Sequence, residues 1–252
     1  MTEIKYGKLI VSIDDERLGC AIIGCEKDAI SVEIPFKIDQ VNVVAIGERA
    51  FKDCDKLKEV TFSDEFYKPD FDRLFLEFEI GAYAFQNCVS LVEIEFPDCV
   101  RTICNGAFYN CTALTSVQVD GCFVESYAFY GCVSLKEITP LGYISEGVFS
   151  HCKSLEILPI SNGVKEISED AFYHCYALKE IVIPSSVKLI APLAFRSCYN
   201  LKKVVFEQPD GWYVKTSRSH DIIKLDLSDV ERNAKMLSQM DFDDGVLCWY
   251  KD

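Results

Sequence analysis

Long apolar runs, basic clusters and catalytic signatures are all missing from this 252-residue chain. No stretch approaches the roughly 18 consecutive apolar residues that cross a bilayer, which predicts no membrane insertion. No lipidation motif ends the chain. Basic residues number 26 against 40 acidic ones, a formal charge of -14, and no Lys/Arg-rich run relieves it. Such a surface repels phosphate backbones and anionic lipid, so nucleic acid is excluded as a partner class. There is no Gly-rich phosphate loop, no HExxH and no CxxC pair. Histidines number three, and His220 stands apart from any Gly-x-Ser-x-Gly phrase. A nucleophile would need a neighbouring base and an orienting third group, and no such constellation is visible. The expectation is a protein with no catalytic residues, no cofactor and no metal. The opening MTEIKYGKLIVSIDDERLGC lacks a basic segment followed by an apolar core, so it does not read as a secretory leader. A cytoplasmic protein is the expectation if Met1 is the native start.

What the chain does have is a phrase repeated seven times. Phe51, Phe85, Phe108, Phe129, Phe149, Phe172 and Phe195 are each followed three residues later by Cys, and three residues after that by Leu. The Phe anchors lie 34, 23, 21, 20, 23 and 23 residues apart. A unit this short cannot bury its apolar face alone and must stack on its neighbours, which predicts a solenoid. Each unit reads in two parts. The phrase IGERAFKDC and its relatives suggest a short helical or 3₁₀ turn with Phe pointing inward. The following Leu-x-x-Val/Ile-x-apolar segment, LKEVTF in the first unit, suggests a short strand pairing in parallel with its equivalents. Pro97, Pro140, Pro159 and Pro184 fall at or near strand ends, where a missing N–H costs least. Seven of the thirteen cysteines share one repeat position, which suits small buried apolar groups better than disulfides or metal. Equivalent thiols in a parallel stack run side by side, so these seven are expected to stay reduced. Cys99 and Cys122, in an adjustable turn, are the candidates for an exception.

Residues 1–40 read as an N-terminal β-hairpin cap, 41–206 as the seven repeats, and 207–252 as a C-terminal cap with a short helix around 229–239. Caps are required because an uncovered end coil exposes apolar surface and an unpaired strand edge. Between the first and second units an insertion, 63–78, interleaves aromatic and acidic residues. Insertions in solenoids often carry binding, which makes Phe66, Tyr67 and Phe71 candidates, although the plainer and favoured reading is that these rings cover a gap where the coil widens.

The phrase I-G-x-x-A-F-x-x-C-x-x-L-x-x-V/I-x-F/I-P resembles the BspA-like leucine-rich repeat family, bacterial proteins with coils of about 23 residues. The opening also resembles that family's N-terminal hairpin, and GWYV...LDLSD...CWYKD resembles a C-terminal module of some members. The resemblance implies a curved right-handed leucine-rich-repeat solenoid of short parallel strands. It also implies an adhesin-like place on the cell surface and a protein or glycan partner. A surface location is then expected if a leader has been removed.

In a solenoid the partner meets ladders of equivalent residues. Outward positions on the strand face are Glu59, Thr61, Glu93, Glu95, Ser116, Gln118, Glu137, Thr139 and Glu180, which form the candidate binding face. With Lys58, Lys136 and Lys179 beside them, the expectation is a mixed Lys/Glu surface with cross-strand charge compensation. A simple soluble edge, or a scaffold that is monomeric or weakly self-associating, would leave the same pattern. His151 and His174 occupy one position in adjacent units, next to Cys152 and Cys175. Two His and two Cys suit tetrahedral zinc, but His is expected outside and Cys inside, so the four should not converge.

Overall fold

The computed structural model describes residues 2–14, 19–68, 77–139, 141–157, 160–215, 222–239 and 248–251. The chain opens with β1 (Thr2–Tyr6), β2 (Leu9–Asp14) and β3 (Gly19–Cys25), an antiparallel meander. Next come β4 (Ser31–Ile34), β5 (Lys37–Ile38) and β6 (Val41–Ile46). The β3 and β6 strands pair in parallel, and this is where the stacking of units begins.

From β6 to residue 206 two parallel ladders alternate along the chain. The first is β6, β8 (Phe78–Ile80), β10 (Val100–Ile103) and β12 (Phe123–Val124), and later β14 (Glu166–Ile167) with β16 (Leu189–Ile190). The second stacks β4, β7 (Glu59–Phe62) and β9 (Glu93–Ile94), then β11 (Ser116–Val117) with β13 (Glu137–Ile138), and β15 (Glu180–Ile183) with β17 (Lys203–Phe206). From β7 onward the second ladder is the strand expected after the repeat Leu, described in six of the seven units; after Leu155 the described residues hold only an isolated bridge from Ile160 to Leu141. The first corrects the sequence reading, which assigned one strand per unit.

The turn between the ladders also differs from expectation, because it is not helical. Two residues before and two after each repeat Phe the backbone is left-handed, at φ 57° for Arg49 and 60° for Asp53, and 55° for Tyr83 and 61° for Asn87. Asp, Asn and Gly accept this region cheaply, whereas Arg49, Tyr83, Tyr127 and Leu193 do so at a cost. The conformation is held because alternate amides leave the unit. Arg49, Phe51 and Asp53 donate to the carbonyls of Ala82, Ala84 and Gln86 at 3.0, 2.7 and 2.8 Å. Between them, Lys52 and Cys54 donate locally to Arg49 and Phe51. The turn stack is thus a third hydrogen-bonded ladder, which gives its alternate backbone amides partners in the next unit. From Tyr83 to Gly147 large and small residues alternate at its leading position. A Cβ on Gly106 would lie 2.4 Å from the Tyr83 ring, and one on Gly147 2.3 Å from that of Tyr127.

Inside, the seven Phe rings form one column, each at most 1% exposed. Neighbouring rings stack at 4.9–5.9 Å and within 17° of parallel. The seven repeat Cys are fully buried, and they do more than fill space. Cys88, Cys111, Cys132, Cys152, Cys175 and Cys198 each donate their thiol to the Phe carbonyl of the preceding unit at 3.1–3.2 Å. None of the thirteen cysteines is in a disulfide, Cys99 and Cys122 included.

Phe66, a candidate contact of the insertion, is fully buried. It packs edge-on against Phe36, Phe62 and Phe78 at 5.1, 5.3 and 5.7 Å. It is therefore core, because the insertion widens this unit and an apolar ring fills the gap. Tyr67 is exposed, while Phe71, Pro140 and Pro159 lie outside the described residues.

The tail supplies β18 (Trp212–Lys215), β19 (Ile222–Lys224), α1 (Val230–Gln239) and β20 (Cys248–Lys251). Asp229 caps α1 by accepting from the amides of Glu231 and Arg232 at 3.1 and 3.0 Å. The β20 strand pairs antiparallel with β16 and β18, folding the tail back on the last unit.

Candidate functional site

On the second ladder, side chains alternate as a pleated strand requires. Val60, Ile94, Val117, Ile138, Ile181 and Val204 point inward and are buried. Glu59, Thr61, Glu93, Glu95, Gln118, Glu137 and Glu180 are exposed, and Ser116 and Thr139 are half-buried. Thr139 is committed to the scaffold, since its hydroxyl accepts the Val119 amide at 2.8 Å.

Six of the nine candidates meet in one place. Glu59, Thr61, Glu93, Glu95, Ser116 and Gln118 line a depression of 390 Å³ floored by Val60, Ile94 and Val117. A second hollow of 310 Å³ adjoins it, between Thr61, Glu95 and Tyr67. The Tyr67 hydroxyl reaches the Glu95 carbonyl at 3.5 Å. Glu137, Thr139 and Glu180 lie outside both. A third hollow, of 330 Å³, sits further along the same ladder and is mainly apolar, with the candidate Glu180 lining it beside Lys203 and Glu207. Ile157 and Val182, 68% and 49% exposed, border it together with Ile160, Pro184 and Val205. Sequence reading sets Ile157 outward in the row of Glu59 and Glu180 but makes none of these a candidate, because each is an isolated apolar residue on a charged strand. An Ile where its counterparts are Glu was the available signal.

The expected charge compensation holds over only part of the face. Glu156 pairs with Lys179 at 2.9 Å, and Glu180 with Lys203 at 3.4 Å. Around the first depression the register instead sets Glu59 directly against Glu93. Among the described residues Glu33, Glu59, Glu93, Glu95 and Glu137 have no ion-pair partner. Like charges directly opposite destabilise a sheet. Exposed Glu–Lys pairs add little to stability, so the contrast matters for the potential this face presents rather than for the fold.

On the turn ladder, His151 and His174 stack at 4.7 Å, while Cys152 and Cys175 bond inward to Phe129 and Phe149. The four do not converge, and among the described residues no three His, Cys, Asp or Glu side chains are grouped to hold a metal. Partial burial pushes both imidazoles below their usual pKa. Lys153 reinforces this for His151; for His174, the neighbouring His151 does so first, then Lys153 and Arg196. The unfolded chain therefore binds these protons more readily than the folded one. Their contribution is complete above the ordinary histidine pKa and is lost as pH falls below it. Replacing both by Asn, which keeps the left-handed backbone, is expected to flatten the fall in melting temperature between pH 7 and 5. Thermal scans of variant and parent across that window check this.

Tandem short units with stacked parallel strands, a Leu closing each turn and an outward ladder of polar residues define a leucine-rich repeat protein. The description of the BspA type leucine rich repeat region matches in six copies over residues 29–70 and 78–202, and the chain belongs to that family. No curated protein sequence matches it. Among solved structures it is similar to a leucine rich cell surface protein from Faecalibacterium prausnitzii A2-165, with 24% identity and a TM-score of 0.71. That match covers 89% of this chain and 61% of the other, so the chain spans about three fifths of the Faecalibacterium protein's length. It is also similar to the T. pallidum leucine rich repeat protein, at 27% identity and a TM-score of 0.51, covering 82% of this chain and 84% of that one. Among the described residues no helix is long and apolar enough to cross a membrane.

Proposed function

We propose that this protein is a non-enzymatic interaction module that holds a polypeptide partner against the strand-lined face, adhesin-like and displayed at a cell surface. The architecture that goes with this reading is a right-handed coil of seven repeats over 41–206, closed by 1–40 and 207–252. The observation that carries it is the row of carboxylates, Glu59, Glu93 and Glu95, without an ion-pair partner among the described residues and lining a depression between coils. Keeping like charges in register costs stability, and a cationic segment laid along the ladder would relieve that cost while steering association. A neutral glycan would not, which favours protein over glycan. Cell-surface display is written of the Faecalibacterium protein and implied here by family.

The test is the triple variant Glu59→Gln, Glu93→Gln, Glu95→Gln. Affinity for a partner captured from intact cells is expected to fall about tenfold, the loss of roughly 0.5 kcal/mol at each of three exposed charges. Parent binding should weaken with salt while variant binding responds less. The variant should also melt at a higher temperature, because the repulsion has gone. Undiminished binding with no change in salt response would defeat the proposal. A self-associating scaffold is the second reading, favoured by the mainly apolar hollow around Ile157 and Val182. Light scattering that shows a dimer abolished by Ile157→Lys would select it.

A further inference from the structure

The repeat cysteines share one environment except at the top of the column. From Cys88 onward each thiol has the preceding unit's Phe carbonyl to bond, but Cys54 has no preceding Phe. The connection from β3 to β4 is a shortened unit. Its Ala29 amide bonds the Glu26 carbonyl at 3.1 Å, just as Leu57 bonds Cys54 at 3.1 Å. This shortened unit sets Cys25 close enough to the Cys54 thiol for the two to interact, while the Cys25 thiol donates to the Glu26 carbonyl at 3.1 Å. Lys27 completes the group. Its Nζ lies 3.8 Å from Cys54 Sγ and is tethered to the Lys52 carbonyl. Cys54 is fully buried and Cys25 6% exposed, whereas Lys27 is exposed.

These features are what a reactive dithiol needs: a nucleophilic sulfur, a resolving sulfur close to it, and a cation that favours the thiolate. Elsewhere in the column, burial pushes the thiols well above their ordinary pKa. At Cys54 the neighbouring Cys25 thiol, and then the Lys27 ammonium, draw the group down instead.

We propose that Cys25 and Cys54 form a redox site that a small hydroperoxide converts to a disulfide, stapling the N-terminal sheet to the first repeat turn. The Cys54 thiolate attacks one oxygen of hydrogen peroxide. The O–O bond breaks, giving Cys54 sulfenic acid and hydroxide, which takes up a proton to become water. The Cys25 thiol then attacks the Cys54 sulfur, the S–S bond forms, the S–O bond breaks and a second water leaves. Two thiols lose two electrons and two protons, and the peroxide is reduced to two waters.

The test treats the full chain under native conditions with stoichiometric hydrogen peroxide, then unfolds it in alkylating reagent and maps the peptides by mass spectrometry. A Cys25–Cys54 disulfide is expected as the first product, ahead of any change at the half-exposed Cys104, Cys122 and Cys248. The oxidised protein should melt several degrees higher, because a loop of nearly thirty residues has been closed. In Cys25→Ser, Cys54 should accumulate as a sulfenic acid trapped by dimedone. In Lys27→Met, oxidation should slow about tenfold and its pH midpoint move up. Oxidation that begins at Cys104, Cys122 or Cys248 and leaves Cys25 and Cys54 reduced would overturn the proposal. So would Cys25–Cys54 oxidation at an unchanged rate and pH midpoint in Lys27→Met.

Discussion

Removing residues 207–252 is expected to turn the protein into an aggregating species without a cooperative melting transition. Each unit depends on the next for hydrogen bonds and apolar cover, and the tail takes the place of a unit that does not exist. Along the turn ladder the amide two residues after each Phe reaches the following unit, as His174 reaches Arg196 at 3.0 Å; the last of them, Ser197, finds the Ser238 carbonyl of α1 at 2.9 Å. On the strands β20 covers the edge of β16, and the Lys251 amide bonds Lys188 at 3.0 Å. The rings of Trp212 and Trp249, 2% and 3% exposed, close over Phe206 at 5.0 and 6.1 Å. Burying a ring of this size stabilises by roughly 4 to 6 kcal/mol as an upper bound. Two such rings rival the whole stability of an ordinary domain, about 5 to 15 kcal/mol. The truncation would also bare Phe206 and Val204 beside an unpaired strand edge, which templates association. Size-exclusion chromatography and a thermal scan decide the matter. A monomeric truncation with an unchanged melting temperature would mean that the tail closes nothing.

The interior was legible because its signal is redundant. Phe, Cys and Leu at fixed offsets identify the column even where spacing drifts to 20 residues. The turn was misread because Phe and Cys three apart share a face in a helix as well. The distinguishing evidence sat two residues beyond each Phe, where Asp53, Asn87, Asn110, Gly131, His151, His174 and Ser197 are mostly types that tolerate a left-handed backbone. The first ladder escaped notice because strands of two residues, such as Phe123–Val124, are too short to display an alternation. Phe66 was obscured by the acidic residues around it. At the candidate site, alternation alone told which residues face outward. That Glu59 lies opposite Glu93 while Glu180 meets Lys203 depends on register across a variable insertion, which a list of residues does not contain. Cys25 belongs to a unit without the repeat phrase, so only the folded chain brings it to Cys54.

Replacing Phe129 by Ala should be among the most damaging single substitutions in the repeats, and the neighbouring Tyr130→Ala far milder. Phe129 is fully buried and stands mid-column, stacked on Phe108 at 5.4 Å and Phe149 at 5.9 Å. Truncation leaves a void between two rings that cannot close, because hydrogen bonds from the turns on both sides fix the spacing of the units. The Phe129 amide itself is held by Val148 at 3.0 Å, and the Phe108 amide by Ala128 at 2.8 Å. A loss of about 3 to 5 kcal/mol follows, the range for large aromatic truncations in rigid cores. Tyr130, half-buried on the outer side of the same turn, stacks on Tyr109 at 4.4 Å and lies 5.1 Å from His151. Losing those contacts should cost roughly 0.5 to 1.5 kcal/mol for an aromatic pair, with solvent filling the space. Because cooperativity passes from unit to unit, Phe129→Ala should also broaden the urea transition, separating the units before it from those after it. Equal losses at the two positions would contradict the inward and outward assignment of the turn. A large loss at Phe129 with an unbroadened transition would mean that coupling between units is strong enough for the chain to unfold as one even with a gap in its column.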